Sequence, residues 1–271
     1  MDKQLNVLKP YSIFTPPFEV TSGGVRVMYG LYGWLLAKGQ IVYLNSQFNH
    51  SDCVGIYPEI QYGNPAEAFT VVRYILNEPG VVPAIYSDGT VKEGPVKFND
   101  TDILYYFSRL FGETDEKHYM FLPILNMHLF KDQKKRRNKC CYYFGKGIKE
   151  RGVKSGKITI HPENALSITR EIAQDQQALA DFLNECEVMY CYDPVSAMHE
   201  IARLCGVRII QIPTKYTKEQ FSVYEPGMNG ISWGEDEGIK LNVDDFRWHY
   251  EKLKVAFEDR LEEFIEETQA Y

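Results

Sequence analysis

The stretch EVMYCYDPVSAMHEIARLCGVRIIQIP constrains the fold of this chain more than any other part of the sequence. Its apolar runs at 187–193 and 207–213 predict two strands, the second of them buried. Between them, Pro194 in a first turn and Gly206 after a last turn delimit a helix over 194–206. A strand, a helix and a strand in this order form a parallel unit, so the chain should contain a parallel sheet connected by helices.

A similar unit opens the chain. Residues 11–15 predict a strand, and two prolines end it. Gly23 and Gly24 then precede a run of helical periodicity that ends at Gly39, and residues 41–45 predict the next strand. The double glycine therefore lies in a loop after a strand, directly before a helix.

The alternation continues on both sides of a basic run at 131–139. Before this run, the patterns predict strands over 54–60, 81–87 and 119–125 and helices over 64–80 and 99–112. After it, they predict strands over 140–147 and 157–162, a helix over 175–186 and a long charged helix over 244–269. We therefore predict an α/β protein with two parallel-sheet domains, 1–133 and 134–271, the second ending in the long helix.

Composition limits the classes of protein to consider. The chain of 271 residues is 44% hydrophobic and 14% aromatic, which predicts folded domains with buried cores and not a disordered chain. No apolar run is long enough to predict a membrane span, and the first residues lack the apolar stretch of a signal peptide. We therefore expect a cytoplasmic protein. The net charge of −7 does not indicate that the protein as a whole binds nucleic acid.

The residues that most often hold metal ions show no ligand spacing. The six cysteines lack a C-x-x-C pair, and we interpret them as reduced, buried side chains. The six histidines form no H-E-x-x-H or similar pair. The Asp-x-Asp of residues 100–102 resembles a metal-diphosphate motif, but we favour its interpretation as a helix cap. We therefore expect no metal site.

Two loops are candidate anion sites. Gly23 and Gly24 carry no side chains, so a ligand can approach their backbone, and the helix after them presents unpaired N–H groups. In the second half, the N–H groups of Val195 and Ser196 should lie in the first turn of the helix that Pro194 opens, and the Ser196 hydroxyl adds a donor. A dinucleotide fingerprint is absent from both loops.

These motifs, taken in order, resemble those of GT-B glycosyltransferases. S-G-G-V-R-V resembles the start of the acceptor domain, and C-Y-Y-F-G-K-G resembles the first strand and phosphate-side turn of the donor domain. Y-D-P-V-S-A and A-R-L-C-G-V-R-I-I resemble the donor segment of the group 4 and group 1 types. The resemblance spans roughly residues 10–213. It implies two Rossmann-like domains facing a cleft, with a nucleotide-sugar donor and no obligatory metal.

The resemblance also assigns residues to roles. The donor and its phosphates would be bound by Gly23, Gly24, Lys146, Asp193, Pro194, Val195, Ser196 and Glu200. Candidate substrate contacts are Arg26, Asn64, His161 and Tyr192. One position departs from the family pattern, because Ile201 stands where a ribose-binding glutamate is usual. Glu200 is the neighbouring residue, and it either replaces that glutamate or belongs to a solvated helix face.

Three functions follow from this sequence. The first is a metal-independent glycosyltransferase, retaining by its family position, that acts on a glycan, a lipid carrier or a modified nucleic acid. The second is an inactive GT-B relative that binds nucleotides or a partner. The third is an unrelated Rossmann enzyme, which the missing fingerprint disfavours. No catalytic residue can be assigned from the sequence.

Overall fold

The computed structural model describes residues 8–46, 52–149 and 159–271. The chain divides into two compact units. Unit 1 comprises Met1–Ile124 and Lys254–Tyr271, and unit 2 comprises Leu125–Leu253. The predicted boundary after residue 133 therefore falls inside unit 2. The end of the long helix groups with unit 1, whereas the sequence pattern placed it in the second domain.

The described strands and helices are as follows. The strands are β1 (Tyr11–Ile13), β2 (Val42–Leu44), β3 (Val54–Pro58), β4 (Thr70–Ile75), β5 (Ala84–Ile85), β6 (Val91–Lys92), β7 (Ile103–Tyr106), β8 (Lys139–Tyr143), β9 (Leu166–Ser167), β10 (Cys186–Cys191), β11 (Arg208–Gln211) and β12 (Ile231–Trp233). The α-helices are α1 (Gly23–Ala37), α2 (Arg170–Gln174), α3 (Gln176–Leu183), α4 (Met198–Leu204), α5 (Lys218–Phe221) and α6 (Val243–Ala270).

Unit 1 is built on a five-stranded sheet in the order β2-β1-β3-β4-β7, in which neighbouring strands are parallel. Strands β3 and β4 are buried along their whole length, as expected for central strands covered on both faces. Helix α1 packs Met28, Leu31 and Leu35 into the core. The end of α6 adds apolar side chains such as Phe264 to the same core.

Two helices predicted in unit 1 are wrong. Within 64–80 the structure contains β4, and within 99–112 it contains β7 followed by a 3₁₀ turn at Arg109–Phe111. Both segments carry β-branched and aromatic residues, which fit a buried strand better than a helix surface. The predicted strand at 119–125 is reduced to a single bridge between Tyr106 and Tyr119 among the described residues.

Unit 2 contains a second five-stranded parallel sheet, ordered β12-β11-β10-β8-β9. The strand–helix–strand pattern predicted over 187–213 is confirmed as β10, α4 and β11. Helix α4 begins at Met198, four residues later than the predicted start at Pro194. Part of the predicted strand over 157–162 lies outside the described residues, and residues 159–162 are not in a strand.

Candidate functional site

Two loops meet at the carboxyl end of the sheet in unit 2. Strand β8 ends at Tyr143 and continues into the turn Phe144-Gly145-Lys146-Gly147, and β10 ends at Cys191 and continues into residues 192–196. The two strands are parallel neighbours, with Tyr143 opposite Cys191. Ligands of open α/β sheets bind at this edge. The sequence motifs G-K-G and D-P-V-S are thus brought together.

Lys146 and Asp193 connect the two loops. The backbone N–H of Lys146 donates to Asp193 Oδ2 at 3.0 Å. The Lys146 ammonium donates to the carbonyl of Val195 at 2.8 Å and lies 3.4 Å from Asp193 Oδ1. The Asp193 side chain is 2% exposed and that of Lys146 is 37% exposed. The loop pair therefore presents one fixed, partly accessible cation above a buried carboxylate.

The two glycines of this turn are required by close approach. Gly145 has a positive φ of 48°, and a Cβ there would lie 2.1 Å from Asp193 Oδ2. A Cβ on Gly147 would lie 1.9 Å from the carbonyl oxygen of Tyr192. Neither position has room for a side chain, so the glycines allow Lys146 to reach Asp193.

The loop at 193–196 satisfies its own backbone donors, which corrects a prediction. The N–H of Val195 donates to Asp193 Oδ1 at 3.2 Å, and the N–H of Ser196 donates to His199 Nδ1 at 3.3 Å. Pro194 is buried between them and lies before the helix, not in its first turn. These N–H groups are therefore not available to an anion in this conformation, contrary to the sequence prediction.

His199 and Gln211 hold this loop from below, and the sequence analysis missed both roles. His199 Nε2 lies 2.5 Å from Gln211 Oε1, and Gln211 Nε2 donates to the carbonyl of Asp193 at 3.1 Å. Because His199 is buried, its pKa is lowered from the ordinary value. Gln211 belongs to β11, so only the fold brings it to Asp193.

Tyr143 is a further residue that the sequence analysis missed. Its hydroxyl is hydrogen-bonded to the Ser196 side chain, and burial followed by the charge of Asp193 raises its pKa. The residue lies immediately before the glycine turn, on the last position of β8. Its place directly before the G-K-G turn is the sequence feature that could have identified Tyr143 as a residue of the site.

Glu200 is buried within unit 2 and does not belong to a solvated helix face. It is 2% exposed, its side chain is hydrogen-bonded to Tyr224, and its charge acts on Arg203. The Arg203 guanidinium is fully buried and its pKa is lowered to about 10 by that burial. Glu200 is therefore committed to the interior, and Ile201 is buried beside it.

His161 and Tyr192 lie on one face of the sheet in unit 2. Tyr192 is fully buried, and its hydroxyl accepts from the N–H of Ile160 at 3.0 Å and lies 2.8 Å from His161 Nδ1. The His161 ring stacks on Tyr142 with centroids 4.0 Å apart. Burial lowers the pKa of His161. The structure thus shows both side chains in an aromatic cluster, where they pack against the sheet.

Gly23 and Gly24 form the first turn of α1, whereas the sequence pattern placed them in a loop directly before the helix. The Ser22 side chain accepts from the N–H of Val25 at 3.4 Å. Within the described ranges, the N–H groups of Gly23 and Gly24 have no acceptor, as is usual in a first turn. A Cβ on Gly24 would make ordinary contact with Leu76 at 3.5 Å. Space alone therefore does not require glycine at position 24.

Arg26 and Asn64 make contacts within unit 1. Arg26 Nη2 donates to the carbonyl of Ile124 at 3.4 Å. Asn64 Oδ1 accepts from the Tyr57 hydroxyl at 2.7 Å and from the N–H of Ala68 at 3.0 Å. Asn64 thus shapes the loop before β4, and it does not cap a helix.

The Asp-x-Asp at 100–102 is not a helix cap. Asp102 is buried and accepts from Arg73 Nε at 2.7 Å, and strand β7 follows it directly. Among the described residues, no group of three or more His, Cys, Asp or Glu is arranged to hold a metal ion.

The basic run is largely neutralised inside unit 2. Lys134 and Arg137 pair with Asp132 at 2.9 and 2.8 Å, and Lys135 lies 3.5 Å from Asp181. Arg136 is exposed. The described helices include none that is long and apolar enough to cross a membrane.

Comparisons with known proteins bear on the fold. No protein-family model matches the chain, and no curated protein matches it. Among solved structures, sucrose-phosphate synthase from Thermosynechococcus elongatus aligns over 97% of this chain and 96% of its own, with 11% identity and a TM-score of 0.52. The chain has the GT-B fold. Its two parallel sheets and long C-terminal helix agree with the predicted fold class.

Two further glycosyltransferases align with lower scores. An alpha-glucosyltransferase in complex with UDP and a 13-mer DNA aligns over 95% of this chain and 94% of its own, with 11% identity and a TM-score of 0.40. A spinosyn rhamnosyltransferase complexed with spinosyn aglycone aligns over 96% of both chains, with 10% identity and a TM-score of 0.38. Of these three scores only the first exceeds 0.5, so only the first alignment bears on the GT-B fold.

Proposed function

We propose that the chain is a glycosyltransferase that moves a sugar from a nucleoside-diphosphate sugar to a hydroxyl acceptor. The observation that carries the proposal is the Lys146–Asp193 contact at the carboxyl end of the sheet in a GT-B fold. Unit 2 binds the donor in this proposal, and unit 1 binds the acceptor. The acceptor is a glycan, a lipid carrier or a modified nucleic acid.

The electrostatic task of such a reaction is to stabilise the leaving diphosphate. Negative charge grows on its bridging oxygen as the bond to the sugar breaks, so a fixed cation lowers the barrier. Lys146 meets this need because its ammonium is held at Val195 and is still partly exposed. Asp193 orients the lysine through both the backbone and the side chain. In unit 1, the unpaired N–H groups of Gly23 and Gly24 are suited to an anionic group.

In this proposal the loop at 193–196 positions other groups and does not bind the phosphates through its own N–H groups. Since the N–H groups of Val195 and Ser196 are already bonded, the loop acts by fixing Lys146 and by presenting the Ser196 side chain. His199 and Gln211 keep the loop in place. Arg26 remains a proposed substrate contact on unit 1. The proposal includes no obligatory metal ion and retention of the anomeric configuration, as the GT-B resemblance implies.

A second candidate function is nucleotide binding without turnover. The observation that favours it is Glu200, which is buried and hydrogen-bonded to Tyr224. The sequence had offered Glu200 as a replacement for the ribose-binding glutamate. With Ile201 at the usual glutamate position and Glu200 in the interior, the described loops offer no carboxylate for the ribose. A protein of this kind would bind a nucleoside diphosphate and transfer nothing.

The test is release of nucleoside diphosphate from a panel of UDP-, GDP-, CDP-, dTDP- and ADP-sugars, with glycan, lipid-carrier and DNA acceptors and with EDTA present. We expect one nucleotide sugar to be consumed with one acceptor class, and the Lys146→Ala variant to lose this activity. NMR of the product reports the anomeric configuration. Binding of a nucleoside diphosphate with no consumption in any combination would support the second candidate and contradict the first.

A further inference from the structure

Unit 1 carries a pair of stacked tyrosines on its surface that the site described above does not use. The rings of Tyr62 and Tyr86 lie 4.3 Å apart between centroids, with an interplanar angle of 20°. Tyr62 is 45% exposed. The Lys92 ammonium lies 4.4 Å from the centroid of the Tyr86 ring. The three side chains form a small aromatic surface that we call the Tyr62–Tyr86 platform.

The backbone under Tyr62 is held by buried groups. The Arg73 guanidinium is buried and donates to the carbonyls on either side of Tyr62, at 3.0 Å to Gln61 and 2.8 Å to Gly63. The N–H of Tyr62 donates to the carbonyl of Ile85 at 2.8 Å. The Tyr62 backbone is therefore fixed before any ligand arrives, which lowers the entropic cost of binding.

The second ring of the platform is held by a hairpin. Strands β5 and β6 pair in antiparallel fashion, and the N–H of Tyr86 donates to the carbonyl of Thr90 at 2.9 Å. The N–H of Ile85 donates to the carbonyl of Ile60 at 2.7 Å, which attaches the hairpin to the segment that follows β3. The platform therefore lies beyond the carboxyl end of β3, the edge of an open parallel sheet at which ligands bind.

An exposed, preorganised tyrosine stack suits a flat ligand with an apolar face and a polar rim. A pyranose ring has this character, because its C–H groups lie on the faces and its hydroxyls lie on the edge. Tyrosine offers the matching surface, with a rigid ring and a hydrogen-bonding hydroxyl. A nucleobase also stacks on aromatic rings, but nucleic acids need nearby cations for their phosphates.

Local charge decides between these two ligands. Residues 59–102 contain seven acidic and three basic side chains, so the surroundings of the platform are acidic on balance. Glu59, Asp102 and Arg73 are buried, which leaves five acidic side chains and two basic ones, Lys92 and Lys97, to act on a ligand at this surface. A polyanion would be repelled from this surface, whereas a neutral saccharide would not.

We propose that the Tyr62–Tyr86 platform binds a pyranose ring of a neutral saccharide, which is the acceptor of this chain. The inference rests on the proposed function for the identity of the saccharide as acceptor. The stacking itself is a property of unit 1 and can be measured without a donor.

The experiment uses the full chain on an array of neutral glycans, followed by calorimetry with the best-bound glycan. We expect Tyr62→Ala and Tyr86→Ala to weaken binding by roughly tenfold or more and Tyr62→Phe to keep most of it. Tyr271→Ala is the matched control, because Tyr271 is also an exposed tyrosine, at 60%. An unchanged melting temperature in each variant shows that the fold is intact.

Three outcomes overturn the inference. They are the absence of any bound glycan, glycan binding that Tyr62→Ala leaves unchanged, and binding of single-stranded oligothymidylate that depends on Tyr62 in place of glycan binding. A parallel titration with nucleoside diphosphates separates this inference from the proposed function. Nucleotide binding without glycan binding contradicts the platform alone, and glycan binding without nucleotide binding contradicts the donor site alone.

Discussion

The backbone N–H of Lys146 donates to the carboxylate of Asp193 at 3.0 Å, and the Lys146 ammonium lies 3.4 Å from the same carboxylate. One buried side chain therefore fixes both the turn after β8 and the cation at its tip. The position of Lys146 depends on Asp193, on the glycines around the lysine and on the residues beneath the loop. Each dependence leads to a measurable consequence.

The first prediction concerns Asp193. Asp193→Asn removes the charge that faces Lys146 and turns one acceptor into a donor, so we expect a loss of about 1–3 kcal/mol in the free energy of unfolding. Nucleoside diphosphate binding should weaken as well, because the ammonium loses its anchor. Urea unfolding and calorimetry measure the two effects.

Asp236→Asn is the control for this prediction. Asp236 forms an exposed ion pair with Arg208, so this substitution should lower the free energy of unfolding by less than about 1 kcal/mol. Equal losses in the two variants would contradict the role of Asp193.

The second prediction compares Gly147, in the turn after β8, with Gly24, in the first turn of α1. Gly147→Ala should destabilise the protein by about 3 kcal/mol or more, because its Cβ would lie 1.9 Å from a backbone carbonyl. Gly24→Ala should be neutral or should stabilise by up to about 1 kcal/mol, because its Cβ fits at 3.5 Å and alanine favours a helix. Thermal unfolding of both variants tests the pair. A destabilised Gly24→Ala protein would mean that the start of α1 is more crowded than described.

The third prediction concerns the ion pair beneath the platform. The side chains of Arg73 and Asp102 are each 1% exposed. Asp102→Asn should destabilise the protein by roughly 3–5 kcal/mol, because it leaves the guanidinium charge buried without its partner. The Arg73→Met, Asp102→Leu double variant should recover part of that loss. Chemical denaturation of the wild type, Arg73→Met, Asp102→Leu and the double variant gives the coupling energy, and additive effects of the two single changes would contradict the pairing.

The fourth prediction follows from the lowered pKa of His199. The unfolded chain takes up a proton near pH 6.5, whereas burial opposes protonation of the folded imidazole. The unfolded state then binds more protons, so stability falls as the pH drops below about 6.5. The loss reaches at most about 1.4 kcal/mol per pH unit for one histidine. His161 adds a loss of the same sign, because burial lowers its pKa too.

Urea unfolding between pH 7.5 and 5.5 checks this dependence. The His199→Gln variant should lose less stability across that range than the wild-type protein, even if it is less stable at every pH. A variant whose stability changes with pH as steeply as the wild type would show that His199 does not carry the effect.

Proline did not mark the start of α4, which lies four residues after Pro194, and sequence patterns predicted the parallel βαβ units best where a glycine follows the helix. Gly206 after α4 is such a case. They failed where a strand combined apolar residues with a nearby capping residue, as in the buried β4 after Asn64 and the half-buried β7 after Asp102. Burial of β4 on both faces removes the alternation that identifies a strand, and β7 with its four residues is too short to show it, so periodicity alone could not separate these segments from helices.

The candidate site was predictable in its motifs and not in its contacts. The G-K-G turn and the D-P-V-S loop are visible in the sequence, and the structure brings them together through Lys146 and Asp193. The roles of His199 and Gln211 were not visible, because residues on α4 and β11 meet only after the sheet has formed. The interior position of Glu200 was equally hidden, since the helix is buried on more than one side.

A donor site at Lys146 is tested most directly by calorimetric titration of the wild-type chain and its Lys146→Ala variant with UDP, GDP, CDP, dTDP and ADP. Lys218→Ala is the control, because Lys218 is partly exposed and pairs with Glu237 in the same unit. We expect one nucleoside diphosphate to bind the wild type and the control alike and to bind Lys146→Ala roughly tenfold or more weakly. Binding of no nucleotide, or equal binding by Lys146→Ala, would contradict a donor site at the Lys146–Asp193 contact.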